Sequence, residues 1–324
     1  MRVGLFGTGA YGLALSSILI HNRNEVTMWT KFPEEKEQLE KTRANEKLLP
    51  NFKLDEEVKI TTSVEECIKD SDLIIIAIPA AFVNSLCIEM KPFIKDNHIL
   101  IATKGIEQGT GLFMDQIVSK HLDTNNIAVI SGPSFAVDII TKKPIGLSIA
   151  SRSSETILLV RKALQNNYIR LRECDDITGV EICGSIKNVI ALSAGMLDGL
   201  KANDSTKAML ITEAMNDMEE ILDAFGSNRR TVDSYAGIGD LLLTCTSIKS
   251  RNYSFGKLIG SKPGEKAIKD YLDNTTVEGY YTLESIHQLL KDKEVSIPII
   301  DLIYEIIVKG KDPELLLAFL VFKI

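Results

Sequence analysis

The sequence is poor in residues that announce a site by themselves. Its four histidines, His21, His98, His121 and His287, stand apart with neither an HExxH frame nor paired-ligand spacing, so no metal centre is expected. Five cysteines, at positions 67, 87, 174, 183 and 245, form no CxxC pair and lie scattered; they read as reduced thiols of a cytoplasmic protein, not as a disulfide framework. Long hydrophobic runs are missing too. The longest, LIIIAIPAAFV over residues 73–83, is too short to cross a bilayer, and Met1 leads directly into a strand pattern, so neither membrane insertion nor a signal peptide is expected. Positive charge is not in excess: 37 basic against 44 acidic residues leave a net charge of −7. Nucleic acid and anionic membranes are therefore poor partners, and an anionic small molecule must be held by particular side chains. Repeats, low-complexity tracts and a flexible linker are also lacking.

What the sequence has in abundance is alternation. The runs RVGLF, EVTMW, VKIT, LIIIAI, HILIAT, IAVIS, GLSIA and YIRL alternate with helical patterns up to about residue 175, which predicts βαβ units and a mostly parallel sheet. Beyond that point the strands stop. An amphipathic segment from Thr206 to Phe225, closed by Gly226, opens an all-helical half. The expected fold class is α/β: an N-terminal Rossmann-like dinucleotide-binding domain over residues 1–178, followed by an all-α substrate and catalytic domain over 179–324.

The first strand ends in RVGLFGTGAYG, which places Gly7, Gly9 and Gly12 between a strand and a helix. That context suits a dinucleotide fingerprint: a tight turn, a close backbone approach to pyrophosphate, and a helix N-terminus aimed at the anion. At the end of the second strand stand Thr30 and Lys31, with the first acid only at Glu34. Lys31 is then either a contact for the 2′-phosphate of NADP or a solvated lysine. Lys104 in TKGIEQG, and Gly132 and Ser134 in SGPSFA, follow strands, where open α/β sheets bind ligands and where ordinary helix capping also occurs. Ser134 lacks the GxSxG frame of a nucleophile elbow.

The helical half holds two further candidates. In GVEICGSIKNVIALSAG, Lys187 has Cys183, Gly184, Ile190, Ala191 and Ala194 as helical neighbours, a cation on a face built for close packing. In AGIGDLLLTCTSIKSRN, Asp240, Thr244, Ser247 and Arg251 are spaced as one polar stripe of a single helix. A lysine among small residues can move a proton, with desolvation disfavouring its charge and a carboxylate such as Asp240 opposing that effect and orienting the amine. The bland alternative for Lys187 is a snorkelling side chain.

GTGAYG, TKGIEQG, SGPSFA, GVEICGSIKNVIALSAGMLDGL, AGIGDLLLTCTSIKSRN and TVEGYYT occur in the order and approximate spacing that resembles the NAD(P)-dependent glycerol-3-phosphate dehydrogenases of bacteria. The resemblance covers nearly the whole chain. It implies interconversion of dihydroxyacetone phosphate and sn-glycerol 3-phosphate, with NAD or NADP as cofactor, and a cytoplasmic protein serving phospholipid synthesis; the missing acid and the cation at Lys31 point to NADPH being accepted at least as well as NADH. It further implies Lys187 as proton acceptor with Asp240 beside it. Lys104, Gly132, Ser134, Asp240, Ser250, Arg251 and Asn252 line the substrate pocket by that resemblance; Ala10, Tyr11, Lys31, Lys104, Ala136, Arg251 and Glu278 line the cofactor side. The partner is a small molecule, with a homodimer as the assembly to test. Four positions depart from the family pattern: Lys31 and Tyr253 replace arginines, Asp138 replaces glutamate, and Ala202 lies in a loop without its usual glycine. A carboxylate-directed relative, such as a ketopantoate or β-hydroxyacid reductase, and a non-catalytic dinucleotide sensor stay open as other readings.

Overall fold

A computed structural model of the protein describes residues 1–291 and 293–322. The chain divides into two compact units, one formed by Met1–Lys104 and Phe113–Ile177, the other by Gly105–Leu112 and Thr178–Ile324.

In the first unit, eight strands among the described residues form one sheet: β1 (Arg2–Phe6), β2 (Glu25–Trp29), β3 (Lys59–Thr61), β4 (Leu73–Ile76), β5 (His98–Ile101), β6 (Ile127–Ser131), β7 (Ile145–Ser151) and β8 (Ile169–Cys174). Their spatial order is β3-β2-β1-β4-β5-β6-β7-β8, and every neighbouring pair is parallel except β6 with β7. The mostly parallel sheet expected from the alternation is thus present. Strands covered on both faces should be apolar throughout rather than alternating; LIII of β4 and IAVIS of β6 are buried at every position.

The order of the strands positions the site. From β1 the chain moves outward to β2 and β3, then returns to place β4 on the other side of β1. At such a switch point the connections leave in opposite directions, and a crevice opens beyond the carboxyl ends of the two strands. The glycine turn fills this place. It leaves β1 at Gly7 and enters the helix Ala10–His21.

The second unit is helical. Its central helix, Ile177–Gly199, is buried at nearly every position from Gly179 to Leu197. By length and composition it could cross a membrane, but its apolar window is wholly buried within the protein; a helix that is apolar all round needs such cover. The amphipathic segment is the helix Asp204–Ala224, capped by the Asn203 side chain accepting from the Thr206 amide and followed by Gly226 at φ +67°.

The central helix meets the helix Arg251–Gly260 through two pairs of glycines. A Cβ on Gly195 would lie 2.0 Å from the Tyr253 carbonyl oxygen, and one on Gly199 would lie 2.4 Å from that of Lys257. From the other side, a Cβ on Gly256 would lie 1.9 Å from the Leu192 carbonyl oxygen and one on Gly260 2.1 Å from that of Met196. With no side chain between them the two backbones touch, and the start of the second helix is held against the middle of the first.

Candidate active site

On the first unit, each glycine of the turn has its own geometric reason. Gly7 adopts φ +122°, and a Cβ there would lie 2.4 Å from the Ala77 carbonyl oxygen just beyond β4. Gly12 packs the helix onto the turn, since a Cβ would come within 2.0 Å of the Gly7 carbonyl oxygen. Gly9 differs: nothing stands within 4 Å of its Cβ direction, so the backbone there is open to close approach. It is also the N-cap of Ala10–His21, contributes no side-chain cap, and no acid occupies the first turn. The exposed amides and the positive end of the helix dipole thus suit a pyrophosphate, and the residues present fit a dinucleotide.

Around this turn the structure gathers several of the expected residues. The Tyr11 hydroxyl and the Ser134 Oγ are hydrogen-bonded at 3.2 Å, and Ser134 donates to the Gly132 carbonyl at 3.1 Å. Gly132 is held at φ +153°, with a Cβ position 2.9 Å from the Gly146 carbonyl oxygen, so a side chain there would be strained. Ala136 begins the short helix Ala136–Ile139 after this segment, with Asp138 inside it. Lys104 ends the β5 connection and is half-buried. Lys31 is exposed and faces Glu89 across 3.7 Å. Two residues that the sequence reading did not single out are Thr8, inside the glycine turn, and Glu35, whose Oε2 accepts a hydrogen bond from the Thr8 hydroxyl at 2.7 Å and another from Thr30.

On the second unit, Lys187 is 7% exposed and its ammonium donates to Asp240 Oδ1 at 2.6 Å and to Thr244 Oγ1 at 3.2 Å. Asp240 is 1% exposed. The Thr244 hydroxyl donates back to the Asp240 carbonyl at 2.6 Å, which turns its lone pairs toward the lysine. The ammonium is therefore fixed by a charged and a neutral acceptor rather than snorkelling to water. Cys245 is buried on the same helix, and burial raises its thiol pKa while the nearby Lys187 opposes the rise. It stays a neutral thiol.

The single polar stripe is corrected by the structure. The helix Asp240–Cys245 ends with Thr246 as C-cap, and a new helix, Arg251–Gly260, begins after Ser250. The Ser250 side chain accepts from the Tyr253 amide, and the Thr246 hydroxyl donates to the Leu242 carbonyl, so hydroxyl side chains take over backbone bonds at both edges of the break. Asp240 and Thr244 share a helix face; Ser247 and Arg251 do not belong to it. Upstream, Tyr235–Gly239 forms a widened turn interrupted at Gly237, whose Cβ would lie 2.1 Å from the Val232 carbonyl oxygen.

Asn188, missed by periodicity because it lies one residue from Lys187, connects the next group. Its Nδ2 donates to Glu278 Oε2 at 3.1 Å, and its Oδ1 accepts from Asn252 Nδ2 at 3.0 Å. Asn252 Oδ1 in turn accepts from the Gly279 amide at 2.8 Å, where a Cβ would collide with the Asn188 carbonyl. Arg251 is 56% exposed on its side chain and lies 3.9 Å from Glu278 Oε1. Its guanidinium is held only loosely, by the same Glu278 that accepts from Asn188. Tyr253, at a position where the family pattern has arginine, is buried near Asp198, which receives Lys257 at 2.8 Å.

A glycine turn suited to pyrophosphate on a switched parallel sheet, together with a buried, carboxylate-paired lysine on a helical unit, fits the class of nicotinamide-dependent dehydrogenases. Two family models match the chain, that of the NAD-dependent glycerol-3-phosphate dehydrogenase N-terminus over residues 2–157 and that of its C-terminus over residues 176–318. The chain belongs to the NAD-dependent glycerol-3-phosphate dehydrogenase family. It is 34% identical over 316 residues to the glycerol-3-phosphate dehydrogenase (NAD(P)+) of Fusobacterium nucleatum, covering 96% of this chain and 94% of the relative. A crystal structure of glycerol-3-phosphate dehydrogenase from Coxiella burnetii superposes with a TM-score of 0.92 at 29% identity, covering 99% and 98% of the two chains. A ketopantoate reductase from Ralstonia eutropha shares the fold alone, at a TM-score of 0.61 and 15% identity over 95% and 98% of the chains.

Proposed function

We propose that this chain reduces dihydroxyacetone phosphate to sn-glycerol 3-phosphate with NAD(P)H, and runs the reverse reaction, providing glycerol phosphate for phospholipids. The observation that carries this reading is Lys187, buried, charge-paired with Asp240 and adjacent in sequence to the network that holds Arg251.

A reduced nicotinamide dinucleotide held at the turn of Gly7, Gly9 and Gly12 would supply the hydride for the carbonyl carbon. The Lys187 ammonium donates a hydrogen bond to the carbonyl oxygen and then gives it the proton, so the oxygen becomes the new hydroxyl; in oxidation the neutral amine takes that proton back. Asp240 and Thr244 orient the amine and keep it on one side of the helix. Arg251 receives the phosphate as a two-pronged donor, its side chain being 56% exposed and only loosely paired with Glu278 at 3.9 Å. Asn252 and Asn188 are positioning residues because their amides are committed to each other, to Gly279 and to Glu278. Ser250 caps the helix that carries Arg251. Lys104, Gly132 and Ser134 complete the substrate contacts, while Gly7, Gly9, Ala10, Tyr11, Gly12, Ala136 and Glu278 serve the dinucleotide. The proposal includes a cytoplasmic enzyme working on small molecules, with a homodimer as its assembly.

Initial rates of NADH and NADPH oxidation with dihydroxyacetone phosphate, unphosphorylated dihydroxyacetone and ketopantoate test the reading. Turnover should be fastest by orders of magnitude with the phosphorylated ketone. Faster turnover of ketopantoate would replace it with a carboxylate-directed reductase, and cofactor binding without turnover of any of them would make the chain a sensor.

A further inference from the structure

We propose that Glu35 selects the cofactor, taking the adenosine ribose hydroxyls of NADH and rejecting the 2′-phosphate of NADPH. This rests on the glycine turn being the dinucleotide site. Sequence alone points the other way, because the residues that end β2 are Thr30 and Lys31 and no acid stands among them. The structure shows how an acid arrives from elsewhere.

Glu35 lies in the first turn of the helix Pro33–Thr42, and its side chain returns toward the sheet. Its Oε2 receives the hydroxyl of Thr8, which lies between Gly7 and Gly9, at 2.7 Å, and the hydroxyl of Thr30, which follows β2 and is 2% exposed. The carboxylate is thereby pinned between the pyrophosphate turn and the carboxyl end of the second strand. In folds of this kind an acid at that place, about 20 residues past the last glycine, accepts from the ribose 2′-hydroxyl; Glu35 is 23 residues past Gly12. Both hydrogen bonds fall on Oε2, and none to Oε1 is made among the described residues, so one carboxylate oxygen can accept from a ribose.

The neighbouring cation does not offset this charge. Lys31 is 61% exposed on its side chain and faces Glu89, not Glu35. Two threonine hydroxyls neutralise no charge, so a 2′-phosphate, carrying up to two negative charges, would meet a fixed anion. An arginine at position 31, as in the family pattern, could present a fork to such a phosphate; a lysine paired elsewhere is a weaker counterweight.

Equilibrium binding of NADH and of NADPH to the full chain, followed by nicotinamide fluorescence without substrate, reads the selection independently of turnover. The wild-type protein should bind NADH at least about tenfold more tightly than NADPH. Glu35→Gln keeps an acceptor for both threonines and removes the charge; it should tighten NADPH binding by about tenfold and change NADH binding far less. Lys31→Ala should leave the preference in place. Equal wild-type affinities that Glu35→Gln does not alter, or an NADPH preference that Lys31→Ala abolishes, would overturn the role of Glu35 while leaving the dinucleotide site standing. Binding of neither cofactor would instead remove the dinucleotide reading on which the inference rests.

Discussion

Replacing Lys187 by methionine removes the proton carrier and also strips a buried carboxylate of its cation. Asp240 is 1% exposed and 2.6 Å from the ammonium. Breaking a buried ion pair from one side is destabilising by about 3–5 kcal/mol, because the remaining charge stays desolvated, whereas replacing both partners is often close to neutral. Lys187→Met should therefore lower the unfolding free energy at pH 7.5 by about 3–5 kcal/mol. Lys187→Met/Asp240→Asn should recover more than half of that loss, although both proteins are inactive. Urea denaturation of wild type, both single variants and the double variant measures the cycle. If Lys187→Met is destabilised by less than about 1 kcal/mol, or if the double variant is no more stable than the single one, the pair is not desolvated.

Three other outcomes follow from particular contacts. Arg251→Ala should raise KM for dihydroxyacetone phosphate strongly and lower kcat, while the poor activity toward unphosphorylated dihydroxyacetone changes far less; equal losses on both substrates would mean that Arg251 does not read the phosphate. Gly256→Ala should destabilise the protein by at least about 1–3 kcal/mol, because the new methyl would lie 1.9 Å from the Leu192 carbonyl oxygen and force the two helices apart; a thermal midpoint within 1 °C of wild type would contradict that packing. Asp217 is buried and accepts the Ile299 and Ile300 amides at 2.9 Å each, and burial raises its pKa to about 7 against the lowering by those amides. A carboxyl raised on folding binds more protons in the native state, so its contribution is present below the unfolded value near 3.8 and lost as pH rises through about 7. Asp217→Asn should accordingly flatten the decline in unfolding free energy between pH 5 and pH 7.5, and identical slopes in the two proteins would refute the raised pKa.

The parts of this molecule that sequence reveals are those with a local signature. The glycine turn between β1 and its helix is one, since backbone conformation and contact with the next strand demand glycine at 7 and 12. The burial of Lys187 among small residues is another, although Gly195 and Gly199 serve the approach of the helix Arg251–Gly260 rather than of a ligand. Periodicity failed where side-chain caps break a helix that the spacing would continue. Helical spacing links Asp240 to Arg251, but Ser250 caps a fresh helix and Thr246 closes the old one, a choice made by side-chain hydrogen bonds that spacing does not encode. Long-range polar pairings are equally silent in sequence: Asn188 finds Asn252 and Glu278 across 64 and 90 residues. Glu35 has no signature at the end of β2, because it lies in the helix that follows and its side chain folds back from there.

The central claim is that Lys187 moves the proton that accompanies hydride transfer. Its most direct measurement is a stopped-flow single turnover with enzyme in excess over NADH, started by dihydroxyacetone phosphate, comparing wild type with Lys187→Met under conditions where urea titration shows the variant folded and fluorescence shows NADH bound. The account predicts a hydride-transfer rate reduced by about two to four orders of magnitude, the contribution of a positioned general acid. A single-turnover rate within a few-fold of wild type would contradict it and assign the proton to another group.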